Sequence, residues 1–333
     1  MYDLSKVVVT SSPHIKSDED TRSVMFDVII ALLPALAVAF YTFGVRALVI
    51  TCATVIACVL SEYVYCRIRG IDPTIGDCSA VVTGLLLAYN VPVTAPVWMP
   101  VIGGVFAIVV VKMLFGGIGK NFINPALGGR AFMMASWTAL MTSFVAPHTS
   151  LSAFGSTADA VTSATPLAAL KNGQLPDATL LDLLLGQHGG VIGETCALAL
   201  IAGGIYLLVR KVITINIPAA YILTVAVVTF IFPMGGQPRL TWMLTQVLSG
   251  GLLLGAIFMA TDYATSPVTP KGQIVFGIGC GLLTVFIRYF GGYPEGVSYS
   301  ILIMNSLVWA IDAHTHPRKF GYPEKAAKKE AQK

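Results

Sequence analysis

The chain has 333 residues, of which 55% are hydrophobic and only 11% charged, and its mean hydropathy is +0.76. Soluble domains carry about 25% charged residues, so an ordinary soluble enzyme is excluded and a polytopic membrane protein is indicated. The net charge of +4 is small, and no basic patch is concentrated enough for nucleic acid.

The first 22 residues are polar, and the first apolar run, about 24–43, is long enough to span. A retained signal-anchor helix is therefore expected, not a cleaved signal. Further apolar spans are read at about 46–66, 78–91, 98–116, 126–143, 190–209, 214–232, 242–260, 272–290 and 297–313. The fold class expected is all-α and polytopic, with about ten transmembrane helices in two inverted five-helix repeats. Its parts are an N-terminal segment 1–22, a first repeat 23–146, a loop 147–189, a second repeat 190–314 and a basic tail 315–333. Ten spans put both termini on one side. Of the 21 Lys and Arg, only Arg46, Lys171, Arg239 and Arg288 then fall on the loop side and Lys112 within a span, leaving sixteen on the side of the termini. The positive-inside rule makes the termini cytoplasmic and the loop external.

The two halves look related. Thr83-Gly84-Leu85-Leu86-Leu87-Ala88 is similar to Gly250-Gly251-Leu252-Leu253-Leu254-Gly255, and Phe115-Gly116-Gly117 to Phe290-Gly291-Gly292. Five spans per half invert the second copy, the plan of many transporters. The third span is short, about 21 Å at 1.5 Å per residue, against a hydrocarbon core of about 30 Å. The eighth ends at Asp262, before Pro267 and Pro270. Interrupted segments at matching positions point to a central site. They bring Thr83, Asn90, Asp262, Thr265 and Ser266 towards a shared interior, with Asn121, Asn124 and Arg130 as donors from the inner side. Lys112 and Arg288 read as a near-equivalent pair that snorkels to the two surfaces, and Glu62 as an end anchor. No acidic residue reads as mid-membrane. Six cysteines, none in a C-x-x-C pair, read as buried small side chains. No metal site and no catalytic side chain are expected.

The loop carries Asp159-Ala160-Val161-Thr162-Ser163-Ala164-Thr165-Pro166. Thr followed by Pro is a helix start, with Thr165 as N-cap and Pro166 at the first helical position. The free N–H groups of such a start favour an anion, and a phosphoryl group on the Thr165 hydroxyl would sit among them. The same residues also suit a plain capped loop helix.

The stretch Asp159 to Thr165 resembles the D-x-x-[ST]-G-A-T signature at which a flavin transferase esterifies FMN to the last threonine, with Ser163 in place of glycine. Asp159, Thr162, Ser163 and Ala164 match the rest of the motif. Ser12-Pro13-His14-Ile15, Asn124-Pro125-Ala126-Leu127-Gly128-Gly129-Arg130-Ala131-Phe132 and Met259-Ala260-Thr261-Asp262 extend the resemblance over nearly the whole chain. It is to the family of the D subunit of the Rnf ferredoxin:NAD oxidoreductase complex and the B subunit of the sodium-translocating NADH:quinone oxidoreductase. The Rnf protein matches better, because the other usually has a longer N-terminal extension.

The resemblance implies covalent FMN at Thr165, a phosphoryl-threonine link, and a second, non-covalent riboflavin in the helical core. The interior residues named above supply the mixture such a ring needs, apolar walls with a few polar groups. It also implies a bacterial inner-membrane redox subunit, not catalytic alone, in lipid among other membrane and peripheral subunits. The complex would carry electrons between ferredoxin and NAD, coupled to Na⁺ or H⁺ translocation. Two rival readings use the same residues. A urea- or ammonium-type channel or permease shares the inverted architecture, and a scaffold would use the loop only to dock a neighbour. A long loop without structure tends to be functional, which favours the redox reading.

Overall fold

Local sequence sets where each helix begins. The Asp20 carboxylate accepts from the Thr21 N–H at 2.7 Å and starts α1 (Thr21–Phe43). Gly44, with φ 72°, turns the chain directly into α2 (Val45–Arg69). The protein is described by a computed structural model over residues 20–149, 152–153, 165–194 and 196–315. α3 (Ser79–Tyr89) has only 11 residues, and α4 (Trp98–Phe106) continues as a π-helical stretch over Ala107–Met113. α5 (Pro125–Ser136) has Asn124 as its N-cap and Pro125 in its first turn, and α6 (Thr138–Met141) is a single turn. Two loop helices follow, α7 (Pro166–Lys171) and α8 (Leu180–Leu185). The second half holds α9 (Ala197–Val209), α10 (Asn216–Ile231), α11 (Arg239–Leu248) and α12 (Leu252–Leu254), the last running into a π-helical Gly255–Met259. α13 (Pro270–Phe290) and α14 (Val297–Thr315) close the fold.

The protein is all-helical, with one isolated bridge between Pro92 and Val191 among the described residues. By length and composition three of the described helices can cross a membrane alone, α1, α2 and α13. α11 with α12 and its π-helical extension meets the same measure only when the two are taken together, across a bend of 61°. Ser79–Tyr89, Trp98–Met113, Ala197–Val209 and Asn216–Ile231 are apolar but shorter. Large apolar side chains such as Phe40, Val64, Leu223 and Phe286 stand exposed on these helices while Leu32, Ile50, Tyr221 and Phe276 are fully buried. Helices apolar on all sides belong in lipid. Leu85–Leu87 and Leu252–Leu254, from the two similar strings, are buried in one core shared by both halves.

The breaks leave backbone groups that lipid cannot satisfy. After α3 the chain turns through Pro92, and Ile192 and Gly193 donate to the Val91 and Tyr89 carbonyls at 3.1 and 2.9 Å. Arg46, on α2, donates to the Val93 and Ala95 carbonyls at 2.7 and 3.1 Å. At the break after α11, Arg288 on α13 donates to the Gln246 and Ser249 carbonyls at 2.6 and 3.2 Å. Arg288 is 2% exposed, so it does not snorkel. Its counterpart in function is Arg46, since both guanidiniums satisfy carbonyls at a helix break.

Lys112 does not snorkel either. Its ammonium contacts the Glu62 carboxylate at 2.6 Å and the Ser79 hydroxyl at 2.7 Å, and both charged side chains are nearly inaccessible. Glu62 also accepts from Thr74. Glu62 is thus no end anchor; it ties α2, the π-helical stretch after α4 and the start of α3 together. The cysteine expectation holds for Cys58, Cys66, Cys196 and Cys280, whereas Cys78 is half-buried and Cys52 exposed. Breaking a buried pair by removing one partner costs about 3–5 kcal/mol, while replacing both by apolar groups is often neutral. Lys112→Met is therefore expected to lower the thermal midpoint of the detergent-solubilised protein clearly. Lys112→Met with Glu62→Leu should recover most of it. Equal losses in the single and double variants would contradict the pairing.

Candidate functional site

Thr165 is extended, with φ −76° and ψ 154°, and its hydroxyl accepts from the Ala168 N–H at 3.3 Å. The Thr-Pro start is therefore built as the sequence implies. The helix behind it has only 6 residues, however, so its dipole contributes little. What fixes Thr165 is packing: Leu167 and Leu170 are buried against Trp242, whose indole donates to the Tyr289 hydroxyl at 2.9 Å. Gly250, at φ 68°, lets the helix break pass beneath α7; a Cβ there would stand 2.3 Å from Leu167 Cδ1. Asp159, Thr162, Ser163 and Ala164 lie outside the described residues.

Thr165 lines a cavity of about 240 Å³, together with Arg130, His188, Glu194, Glu295 and Tyr299. Arg130, at the cavity wall, is 5% exposed. It pairs with Glu295, donates to Asn90 Oδ1 at 2.6 Å and Ser298 Oγ at 2.7 Å, and stands 3.6 Å from Glu194 Oε1. Glu295 Oε1 also accepts from the Gly251 N–H at 3.2 Å. Glu194 Oε1 is buried without a hydrogen-bond partner. Burial, and then the neighbouring Glu295 charge, pushes the Glu194 carboxyl well above the usual carboxylate range. Burial alone would raise Glu295 too, but Arg130 outweighs it and holds that carboxyl low. One proton on the pair is therefore favoured, with Glu194 the stronger binder.

A second cavity, of about 100 Å³, is lined by Thr83, Lys112, Asn121, Asn124, Asp262 and Phe258. The start of α1, with Met25 and Val28, borders it. The end of α1 lies by the loop, where His148 N–H donates to the Thr42 carbonyl at 2.9 Å. Asn124 donates to the Met259 carbonyl at 3.2 Å, and Asn90 approaches Met259 Sδ at 3.7 Å. A chain Arg130–Asn90–Met259–Asn124 runs from one cavity to the other. Thr265 is buried behind the second cavity, its hydroxyl donating to Asp262 Oδ2 at 3.1 Å. The Asn305 amide, on α14, donates to the Thr265 carbonyl and accepts from the Asn124 N–H.

The interior residues grouped by sequence are thus divided. Thr83, Asn121, Asn124 and Asp262 meet in the second cavity; Arg130 lines the Thr165 cavity and not the second. Asn90 stands between the two, and Ser266 lines neither. Sequence reasoning missed Glu194, Glu295 and Lys112. A signal existed for the glutamates: each directly precedes an apolar run and follows glycine or proline, in Gly193-Glu194 and Pro294-Glu295-Gly296. A carboxylate at the mouth of a span with no basic neighbour in sequence must find its partner elsewhere in the fold.

The fold and its two cavities define an all-helical membrane protein with polar, charge-bearing sites between its two halves. A model of the NQR2, RnfD, RnfE family matches residues 8–321, and the chain belongs to that family. It is 50% identical to the D subunit of the Na(+)-translocating ferredoxin:NAD(+) oxidoreductase complex of Acetobacterium woodii, over 98% of each chain. It is 43% identical to the D subunit of the proton-translocating ferredoxin:NAD(+) oxidoreductase complex of Clostridium ljungdahlii, over 94% of this chain and 96% of that one. Against the D subunit of the ion-translocating oxidoreductase complex of Actinobacillus succinogenes the identity is 35%, over 94% of this chain and 98% of that one.

The carboxyl pair makes stability depend on pH with opposite signs. Glu194 binds its proton more tightly folded than unfolded, so its contribution is full below the ordinary value of 4.5 and is lost as pH rises through the raised value. Glu295, held low, contributes fully above 4.5 and loses its contribution as pH falls through its lowered value. Glu194→Gln is expected to remove the loss on the alkaline side and keep the acid one, read as thermal midpoint against pH. An unchanged profile would contradict the shared proton.

Proposed function

We propose that this chain is the membrane redox subunit of an ion-translocating ferredoxin:NAD oxidoreductase, with FMN esterified to Thr165. The observation that carries the reading is the position of Thr165. The threonine that closes the flavinylation-like motif lines a cavity that Arg130 and Glu194 also line. The residues fit the group: Thr165 supplies the tether, Arg130 a positive charge at the wall, and Glu194 Oε1, which no hydrogen bond engages, a polar partner. The bound flavin supplies electron-transfer chemistry that no side chain has. The protein supplies distance, orientation and field.

A second flavin, non-covalent riboflavin, is assigned to the cavity of Thr83, Asn121, Asn124 and Asp262. Lys112, held by Glu62, lines the same cavity. Asn90, Thr265 and Ser266 position this wall without needing to touch the ring. Ten spans put both termini in the cytoplasm and the flavin loop outside, in a bacterial inner membrane. The basic bias supports this orientation even after Arg130 is removed from the cytoplasmic tally. A flavin transferase matures the loop, and the other subunits supply and receive electrons. The coupling ion is Na⁺ or H⁺, as in the names of its relatives. The subunit is part of an enzyme and not catalytic alone.

Thr165→Val is expected to abolish in-gel flavin fluorescence of the denatured subunit, while Thr162→Val keeps it and Ser163→Gly is flavinylated at least as well. Fluorescence surviving in Thr165→Val would refute the attachment site. Denatured wild-type subunit should also release free riboflavin, reduced by Asn124→Ala with Asp262→Ala while the attached flavin stays. Release of none would return the second cavity to cation passage or to structure. For topology, cysteines placed at Ala158 and Ala331 in a cysteine-free background should react with an impermeant maleimide from opposite sides. Labelling of both from outside would refute the ten-span arrangement.

A further inference from the structure

We propose that Glu194 is the proton-exchanging residue of the Thr165 cavity, passing one proton to a ring nitrogen of the flavin held there; this rests on the flavin assignment above. The two glutamates of the cluster are not equivalent. Glu295 is engaged as a carboxylate by Arg130 and by the Gly251 N–H. Glu194 is 6% exposed, lines the cavity, and has an oxygen with no hydrogen-bond partner. A Cβ on Gly251 would lie 2.3 Å from Glu194 Oε1 and 2.5 Å from Glu295 Oε1, so the two oxygens crowd one spot. Two bare carboxylates there would repel, and one proton between them removes the repulsion.

The groups facing Glu194 come from every neighbouring element. Arg130 stands on α5, Arg288 on α13, Glu295 and Tyr293 on the turn before α14, Tyr299 on α14, and His188 on its own loop. With Glu194 protonated, two guanidiniums face one carboxylate, and the surplus positive charge favours electrons arriving in the cavity. With Glu194 ionised, two guanidiniums face two carboxylates. The proton can therefore leave without stranding a charge. In the step itself the Glu194 O–H bond breaks and an N–H bond forms on the ring. One electron accompanies the proton, from a one-electron carrier of the complex that is thereby oxidised, and Glu194 remains as a carboxylate.

The test is a reduced-minus-oxidised infrared difference spectrum of the intact complex in H₂O and D₂O. Attached flavin is read by in-gel fluorescence on the same sample. Reduction should remove a protonated-carboxyl C=O band that shifts in D₂O. Glu194→Gln should abolish that change, and Glu194→Asp, which keeps a carboxyl, should move the band without abolishing it. If Glu194→Gln does not assemble, the Asp variant decides. Attached flavin with a carboxyl region unaltered by reduction, or with a band indifferent to both substitutions, overturns the proposal and leaves the flavin assignment standing. Loss of the band change in His188→Gln, with both Glu194 variants like wild type, assigns the proton to the histidine and overturns it equally. Wild-type subunit without attached flavin overturns both readings.

Discussion

The structure depends on satisfying backbone at helix breaks where water is scarce. Each unsatisfied N–H or C=O in hydrocarbon costs several kcal/mol, roughly. The chain after α3 meets this cost with Arg46 and with the segment at Val191–Gly193, and the break after α11 with Arg288. These are long-range contacts between elements far apart in sequence. They force the loop-side end of α9 against the end of α3, and that contact is where the larger cavity forms. The polar site is thus a consequence of breaking the helices: once donors and acceptors are released from helical bonds, charged side chains have partners in the interior.

The same requirement explains why the cations are where they are. A lysine or arginine near the end of an apolar run is usually a surface anchor, and the sequence offers nothing to say otherwise. Lys112 finds Glu62 on another helix, and Arg130 finds Glu295 across the interface between halves. Asp27 on α1 accepts from Tyr206 on α9 at 2.8 Å, a further polar tie across that interface. A buried charge must be paired, so these residues report the tertiary fold and not the membrane surface.

Local chemistry is legible in the sequence and long-range pairing is not. Thr165-Pro166 reads as a helix start from adjacent residues and its cap is formed; the same Asn-Pro and Thr-Pro pattern caps α5 at Asn124 and α13 at Thr269. The short third span is observed as α3 within one residue of its read start. The π-helical stretches after α4 and α12 leave no sign in an evenly apolar sequence, because widening a turn needs no special residue. Gly128 and Gly129, just before Arg130, serve close packing. A Cβ on Gly129 would meet the Gly103 carbonyl at 2.9 Å, so α5 lies tightly on α4 and carries Arg130 deep into the fold. The glutamates escape a sequence reading because a place in a loop ordinarily implies exposure. In this chain the loop residues beside the breaks are among the most buried.

The arrangement also bears on the choice between a solute path and an electron relay. A permeation path needs a continuous opening, and the two cavities are instead divided by packed side chains. Asn90 is 1% exposed and Met259 1%. Opening a passage there would break the Arg130–Asn90 and Asn124–Met259 hydrogen bonds and strand buried polar groups. Electrons need no opening, only proximity and a rigid intervening medium. A chain of four residues, Arg130, Asn90, Met259 and Asn124, links the two cavities through the packed layer between them. A wall of this kind obstructs a solute and costs an electron little, and its polar links let charge on one side be felt on the other. That asymmetry between matter and charge is the physical ground for preferring the redox reading over a channel in the same architecture.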